Sequence, residues 1–258
     1  MSEMIKERIN ENLQRLKLNR VHDVFDELVK KAEDSKLSYM AFMDQLLTEE
    51  VATKEDRRIK AALRTAGLPF EKTIEEYDFG FHPGLDKKQV MTLFDLDFIQ
   101  QKENVIFLGP PGVGKSHLAV SLAVKAAYFG VSIYFTTMAD LMAKLKKDAA
   151  DGHIGKGRSY LKSGLLIVDE VGYMPIDRKE AHLFFQFVCY RYEKSSIVMT
   201  SNKNFSEWEE IFGDPVIATA ILDRLLHHSH IISIKGNSYR LKEHKQRKEA
   251  KISTQTCG

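Results

Sequence analysis

A chain of 258 residues, 43% hydrophobic and 29% charged, has apolar surface enough for one large domain, or for a small one beside a medium one, and charge enough to stay in solution. Its formal net charge of +2 is too small to argue for nucleic acid by itself, and its two cysteines, Cys189 and Cys257, exclude a CxxC metal site and a disulfide-stapled scaffold. No apolar stretch is long enough to span a bilayer, and the charged run from Met1 to Asn12 lacks a signal-peptide core, so a cytoplasmic protein without membrane association is expected.

The front third reads as helix. Ile5, Ile9, Leu13 and Leu16 recur at helical spacing, and Val21, Val24, Phe25, Leu28 and Val29 continue the pattern. Ser38 is placed to cap a second helix carrying Phe42, Leu46 and Leu47, and a third, charged helix runs from about Lys54 to Leu63, stopped by Gly67-Leu68-Pro69. Between Glu71 and Gly84 the texture changes to a linker with aromatic anchors, Tyr77, Phe79 and Phe81. The domain boundary falls near residues 67–75, giving a helical domain over 1–68, a second domain over 69–242 and a basic tail over 243–258. From Lys235 onward seven basic residues face two acidic ones.

The second domain alternates strand and helix. Val105–Leu108, Ser132–Thr136, Leu165–Val168, Ile197–Thr200 and Ile231–Ile234 are short apolar runs rich in β-formers, mostly separated by helical segments. That alternation predicts an α/β fold with a parallel sheet covered on both faces.

After the first strand, Gly109-Pro110-Pro111-Gly112-Val113-Gly114-Lys115-Ser116 fits GxxxxGK[ST], and Ser116–Phe129 can form the helix that must follow, ending at Gly130. Glycines let backbone N–H groups turn inward toward phosphate oxygens, and the helix presents its electropositive N-terminus. Lys115 is the residue to reach the β- and γ-phosphates, and the Ser116 hydroxyl is a ligand for Mg²⁺. The expected ligands are therefore ATP and Mg²⁺. The third strand ends in Asp169-Glu170, at the edge where ligands of open α/β sheets bind. Asp169 is expected to serve the metal and Glu170 to polarise an attacking water, which favours hydrolysis over transfer to a hydroxyl.

Other polar residues leave alternatives. Asn202, at the end of the fourth strand, is either a sensor of water and γ-phosphate or a turn residue ahead of Phe205. Arg224, on a helix over Ala218–Leu226, is either a group reaching a neighbouring subunit's nucleotide or a surface arginine paired with Asp223. Arg240 either contacts phosphate within its own subunit or belongs to the basic tail, and Arg191 is either a subunit-boundary residue or a packed helix end. His227-His228-Ser229-His230 is not read as a metal site, because successive side chains diverge and no matching Cys or acidic set follows.

Together these residues resemble the AAA+ superfamily, and within it the IstB-type ATPases, helper proteins of bacterial insertion sequences. The resemblance spans nearly the whole chain, through Asp78-Phe79, Glu103-Asn104-Val105, the loop Gly109–Ser116 with His117-Leu118-Ala119, Val168–Tyr173, Arg191-Tyr192-Glu193, Thr200-Ser201-Asn202, Trp208, Leu222–Leu225 and Ser238-Tyr239-Arg240. The core is also similar to DnaC-type helicase loaders and, more distantly, to DnaA-type initiators. The resemblance implies a five-stranded sheet in the order 5-1-4-3-2. It implies ATP-dependent homo-oligomer assembly on double-stranded DNA and stimulation of a cognate transposase, with His117 beside the nucleotide, Arg224 as arginine finger and Arg240 at the second sensor position. The runner-up reading is a replicative helicase loader.

For DNA, two basic regions stand out. One runs from Lys144 to Lys162 and includes Lys144, Lys147, Lys156 and Arg158; the other is the helix bearing Arg57, Arg58, Lys60 and Arg64. Either could neutralise phosphates without reading bases, and either could be a solvated face.

Overall fold

The computed structural model describes residues 2–152 and 157–242. Lys156 and the tail 243–258, expected above to contribute basic charge, lie outside the described residues. The chain divides into two compact units, one over residues 1–61 and one from Ala62 onward.

The first unit holds α1 (Ser2–Arg15), α2 (Asn19–Asp34) and most of α3 (Tyr39–Ala66). Leu13, Val21 and Leu46 form its buried centre, with Ile9, Leu18, Phe25, Leu28 and Phe42 packed around them. Two expectations are corrected here. The run from Ile5 to Val29 is broken, and the segments expected to start at Ser38 and Lys54 are one continuous helix. The break at Lys17 is a Schellman turn: Lys17 adopts φ 56°, Leu18 N–H bonds Leu13 O at 2.9 Å, and Lys17 N–H bonds Gln14 O at 3.0 Å. Lys36 repeats the arrangement after α2, with φ 47°. Ser38 caps as expected, its Oγ accepting from Ala41 N at 3.2 Å. The N-terminus of α2 has no cap of its own; buried Glu50 instead accepts from Arg20 N at 2.9 Å and Val21 N at 3.0 Å, placing a carboxylate where the helix dipole favours it.

The second unit contains α4 (Lys87–Thr92), α5 (Asp97–Gln100), β1 (Asn104–Leu108), α6 (Lys115–Tyr128), β2 (Ile133–Thr137), α7 (Met138–Ala150), α8 (Ser159–Lys162), β3 (Leu165–Val171), α9 (Arg178–Arg191), β4 (Ser196–Ser201), α10 (Trp208–Phe212), α11 (Pro215–Leu226) and β5 (Ser229–Ser233). The five strands form one all-parallel sheet in the order β2-β3-β4-β1-β5, as the resemblance implies. The three central strands are apolar and buried on both faces, which is why they read as unbroken hydrophobic runs. On one face Ile106, Leu166, Val168, Ile197 and Met199 pack with Phe184, Trp208 and Phe212 from the helices that follow β3 and β4. The helix α6 lies against β1, β3 and β4 with nine of its residues from Leu118 to Ala127 buried. Each fully buried Leu, Ile or Phe contributes about 1.5–3 kcal/mol relative to exposure, so this double-sided core holds the strand ends in place.

Candidate functional site

Three adjacent strands, β3, β4 and β1, deliver their carboxyl ends to one place. After β1 the loop turns through Gly109, Gly112 and Gly114, all at positive φ, and Gly114 enters α6 in a left-handed conformation at φ 93°. Glycine is required at Gly114 on two counts: that φ, and the ring of Tyr77, whose Cε2 would lie 2.6 Å from an added Cβ. The Tyr77 hydroxyl donates to Val113 O at 3.1 Å, and burial pushes the phenol up to about 12. His117 holds the same linker from the other side, its Nε2 3.0 Å from Thr73 O and its ring edge-on to Tyr77; burial lowers its pKa and favours the neutral ring.

Lys115 is only 7% exposed. Its ammonium donates to Gly109 O at 2.7 Å, Pro110 O at 2.9 Å and Asn202 Oδ1 at 2.6 Å. Burial brings its pKa down to about 8; Asp169 opposes that shift and Arg240 adds to it. Ser116 Oγ donates to Asp169 Oδ1 at 2.9 Å, joining loop and β3.

The acidic pair sits on an irregularity of the sheet. Between β3 and β4 the register shifts between Val168 and Val171, and Glu170 takes φ 63°. A bulge of this kind re-aims side chains: here Asp169 is buried against Ser116 while Glu170 is exposed along the cavity wall. Thr200 stabilises both. Its Oγ1 donates to Asp169 Oδ1 and accepts from Glu170 N at 3.1 Å.

The result is a cavity of about 520 Å³ lined by residues that include Gly112, Lys115, Ser116, His117, Glu170, Thr200, Asn202 and Arg240, with Tyr77, Asp78 and Tyr173 on its walls. Behind it, Tyr239 N bonds Gly112 O at 2.9 Å and Ser238 packs where a Cβ on Gly112 would reach, bringing Arg240 to the loop. Pro111 and Val113 line the cavity, and Gly109 and Pro110 turn their carbonyls to Lys115. A desolvated ammonium sits where a glycine-bearing turn enters a helix, and the Asp169 carboxylate acts on it across the site. That combination is chemically suited to phosphate oxygens, and the Ser116–Asp169 oxygens suit a small hard cation that keeps several waters.

Elsewhere the placements differ. Arg224 does not line this cavity; its Nη1 donates to Ala220 O at 3.1 Å and its guanidinium sits 4.8 Å from the Phe185 ring centroid. Arg191 is a packed helix end: 1% exposed, it donates to the carbonyls of Tyr160, Ser163 and Ser196, and burial brings its pKa down to about 10. Arg158 pairs with buried Asp148 at 2.6 Å, Lys144 stacks 5.5 Å from the Tyr134 ring, and Lys147 is exposed. On α3, Arg57, Arg58 and Arg64 are exposed and Lys60 pairs with Asp56 at 2.7 Å. His230 turns to Glu103 at 2.8 Å, but the rings of His227 and His228 lie 4.0 Å apart, and an acid does join them: Glu193, from the turn before β4. It precedes the histidines by more than thirty residues in sequence, so only the fold brings it to them.

Two functional residues escaped the sequence reading. Thr200 was visible only as part of Thr200-Ser201-Asn202, and nothing in that run says its hydroxyl orients two acids. Tyr77 carried a faint signal as one of three aromatics in a glycine- and proline-bearing linker.

The family model described as IstB-like ATP binding protein matches residues 11–247. Among curated relatives, the "Insertion sequence IS5376 putative ATP-binding protein" of Geobacillus stearothermophilus is 43% identical over 246 residues, covering 95% of this chain and 98% of that one. The "Insertion sequence IS21 putative ATP-binding protein" of Pseudomonas aeruginosa is 46% identical over 232 residues, covering 90% and 88%. Among solved structures, AMPPCP-bound DnaA from Aquifex aeolicus superposes with a TM-score of 0.55 at 19% identity, over 71% of this chain and 56% of that one, a likeness of fold.

Proposed function

The chain belongs to the IstB-like ATP-binding protein family, and from that membership and the cavity geometry we propose that it is an Mg²⁺-dependent ATPase that assembles as a homo-oligomer on double-stranded DNA and assists a cognate transposase. The observation that carries the reading is the convergence of Lys115, Ser116, Asp169, Glu170 and Asn202 at the ends of three adjacent strands.

The chain's own groups divide the work. Backbone amides of Gly112–Ser116 and the Lys115 ammonium hold the β- and γ-phosphates. Ser116 and Asp169 would hold Mg²⁺, which would supply positive charge to the phosphate oxygens. Glu170, exposed on its bulge, orients a water toward the γ-phosphate, and Asn202, one bond from Lys115, reports the phosphate to β4. Arg224 lies outside its own chain's cavity and serves, on this reading, the nucleotide of a neighbouring copy. On this reading the protein works in the cytoplasm, and no helix among the described residues is long and apolar enough to cross a membrane.

The test is turnover across a dilution series, with mixed variants. Wild-type specific activity should rise with protein concentration. Arg224→Ala should bind ATP but turn over slowly, Lys115→Ala should fail to bind, and their mixture should recover activity, because intact Arg224 from one variant completes the intact phosphate site of the other. Flat specific activity and no recovery on mixing would refute catalysis at subunit junctions. In parallel, DNA binding measured with ATP, with ADP and with neither should differ in affinity or stoichiometry; identical values would refute nucleotide-driven assembly, and capture of a replicative helicase in place of transposase by the full chain would move the reading to a helicase loader.

A further inference from the structure

We propose that Glu193, His227 and His228 form a binding site for one divalent cation of the zinc class, separate from the phosphate cavity. One carboxylate oxygen and one ring nitrogen from each histidine lie within 4.8 Å of one another. Two imidazoles and a carboxylate are a donor set that selects Zn²⁺-like ions over Mg²⁺ or Ca²⁺, which prefer all-oxygen shells. Tetrahedral Zn²⁺ with bonds near 2.0–2.1 Å needs ligand atoms roughly 3.3 Å apart. All three side chains are exposed and have room to close that gap. A fourth position is left for water.

The backbone beneath the ligands is fixed. Glu193 takes φ 57° in a turn closed by Lys194 N and Ser195 N, which donate to Arg191 O at 2.9 and 3.2 Å. His227 N donates to Asp223 O at 3.1 Å, and His228 O accepts from Asn104 N at 2.8 Å. Outer groups resemble those that orient metal-bound histidines: the Tyr192 hydroxyl lies 2.7 Å from His227 Nδ1, which sets the ring.

The consequence is positional. His227 is the C-cap of α11 and His228 follows it, with Arg224 one turn earlier, so a bound ion ties the end of the helix bearing Arg224 to the turn between α9 and β4. This use of the site rests on the role assigned to Arg224, but binding of the metal does not.

The test is titration of the full chain, freed of metal by chelator, with Zn²⁺ by calorimetry and with Co²⁺ by visible absorption. One equivalent should bind, with the d–d bands of a tetrahedral nitrogen–oxygen site. Glu193→Gln and His228→Ala should each weaken binding at least tenfold, while His230→Ala, whose ring faces Glu103, should leave it unchanged. Thermal unfolding should shift upward with Zn²⁺ in the wild type and in His230→Ala only. No saturable binding, or binding that survives Glu193→Gln and His228→Ala together, overturns the proposal. Since no nucleotide is present, this outcome is independent of the ATPase reading.

Discussion

Thr200→Val is the sharpest probe of how the acidic pair is held. Valine keeps the volume of a side chain that is 1% exposed, and removes one hydroxyl that donates to Asp169 and accepts from Glu170 N–H. Glu170 sits at φ 63°, a conformation that costs an L-residue about 1–2 kcal/mol and persists only where surroundings over-determine it. Loss of the N–H bond takes away about 0.5–1.5 kcal/mol of that support, and leaving the amide unsatisfied adds up to a few kcal/mol more in a buried setting. If 1–2 kcal/mol of this falls on the aligned conformer, the ratio of aligned to misaligned conformers drops about 5- to 30-fold at 1.4 kcal/mol per decade. Steady-state ATP hydrolysis should therefore show kcat reduced by up to about that factor with nucleotide affinity nearly unchanged, because Lys115 and the loop amides are untouched. Thr200→Ser, which restores the hydroxyl, should recover most of the rate. Turnover within twofold of wild type, or a loss expressed wholly in ATP affinity, would refute the claim that Thr200 orients Glu170.

Three further outcomes follow from the same geometry. Burial sets Lys115 near 8, and phosphate raises the pKa of the amine it contacts, so ATP affinity should be flat below about pH 8 and fall, by up to tenfold per unit, as pH climbs above it; fluorescent-nucleotide titrations from pH 7 to 9.5 check the sign, and affinity that improves with pH would contradict it. Gly114→Ala adds a Cβ 2.6 Å from Tyr77 at φ 93°, and should abolish measurable ATP binding, with Tyr77→Leu in the same chain restoring only part of it because the backbone strain remains. Arg191→Met strips a buried donor from three carbonyls and should cost about 3–5 kcal/mol, a melting shift on the order of 6–20 °C, with ATP affinity of the folded fraction intact; an unchanged melting temperature would argue against its packing role.

The sheet was legible because central parallel strands must be apolar on both faces, so β1, β3 and β4 announce themselves as runs ending in Gly109, Asp169 and Asn202. The phosphate loop was legible because its glycines answer a backbone requirement that few other residues meet. What stayed hidden depends on contacts remote in sequence. The helix breaks at Lys17 and Lys36 use lysine where glycine usually signals a left-handed cap, so no residue type marked them. The fusion of α3 escaped notice because a charged stretch without Gly or Pro is equally good as an exposed helix interior. The bulge at Asp169–Glu170 arises from pairing with β4, thirty residues on, and a two-carboxylate motif does not say that one acid is buried and the other exposed. Glu193 could not be matched to His227 and His228 until α9 and α11 were packed side by side.

The phosphate loop is gripped by three elements that have nothing to do with one another in sequence: Tyr77 from the linker through Val113 O, Asn202 from β4 through the Lys115 ammonium, and Tyr239 from beyond β5 through Gly112 O. Of these, only the Asn202 bond shares a donor with the phosphates on the proposed reading. A lysine ammonium has three protons, and all three are spent here on Gly109 O, Pro110 O and Asn202 Oδ1. Engaging a phosphate must therefore cost at least one of those bonds. A conformational effect of a ligand needs contacts that differ between states, and this exchange supplies one at β4, while Tyr77 and Tyr239 keep their bonds to backbone carbonyls in either case. The linker and the segment carrying Arg240 thus act as fixed walls, and the β4 end is the part of the site with a physical reason to move. Arg224 is reached from β4 through α10 and α11, so it is along that path, and not through the linker, that a nucleotide-dependent change at the proposed subunit junction should be sought.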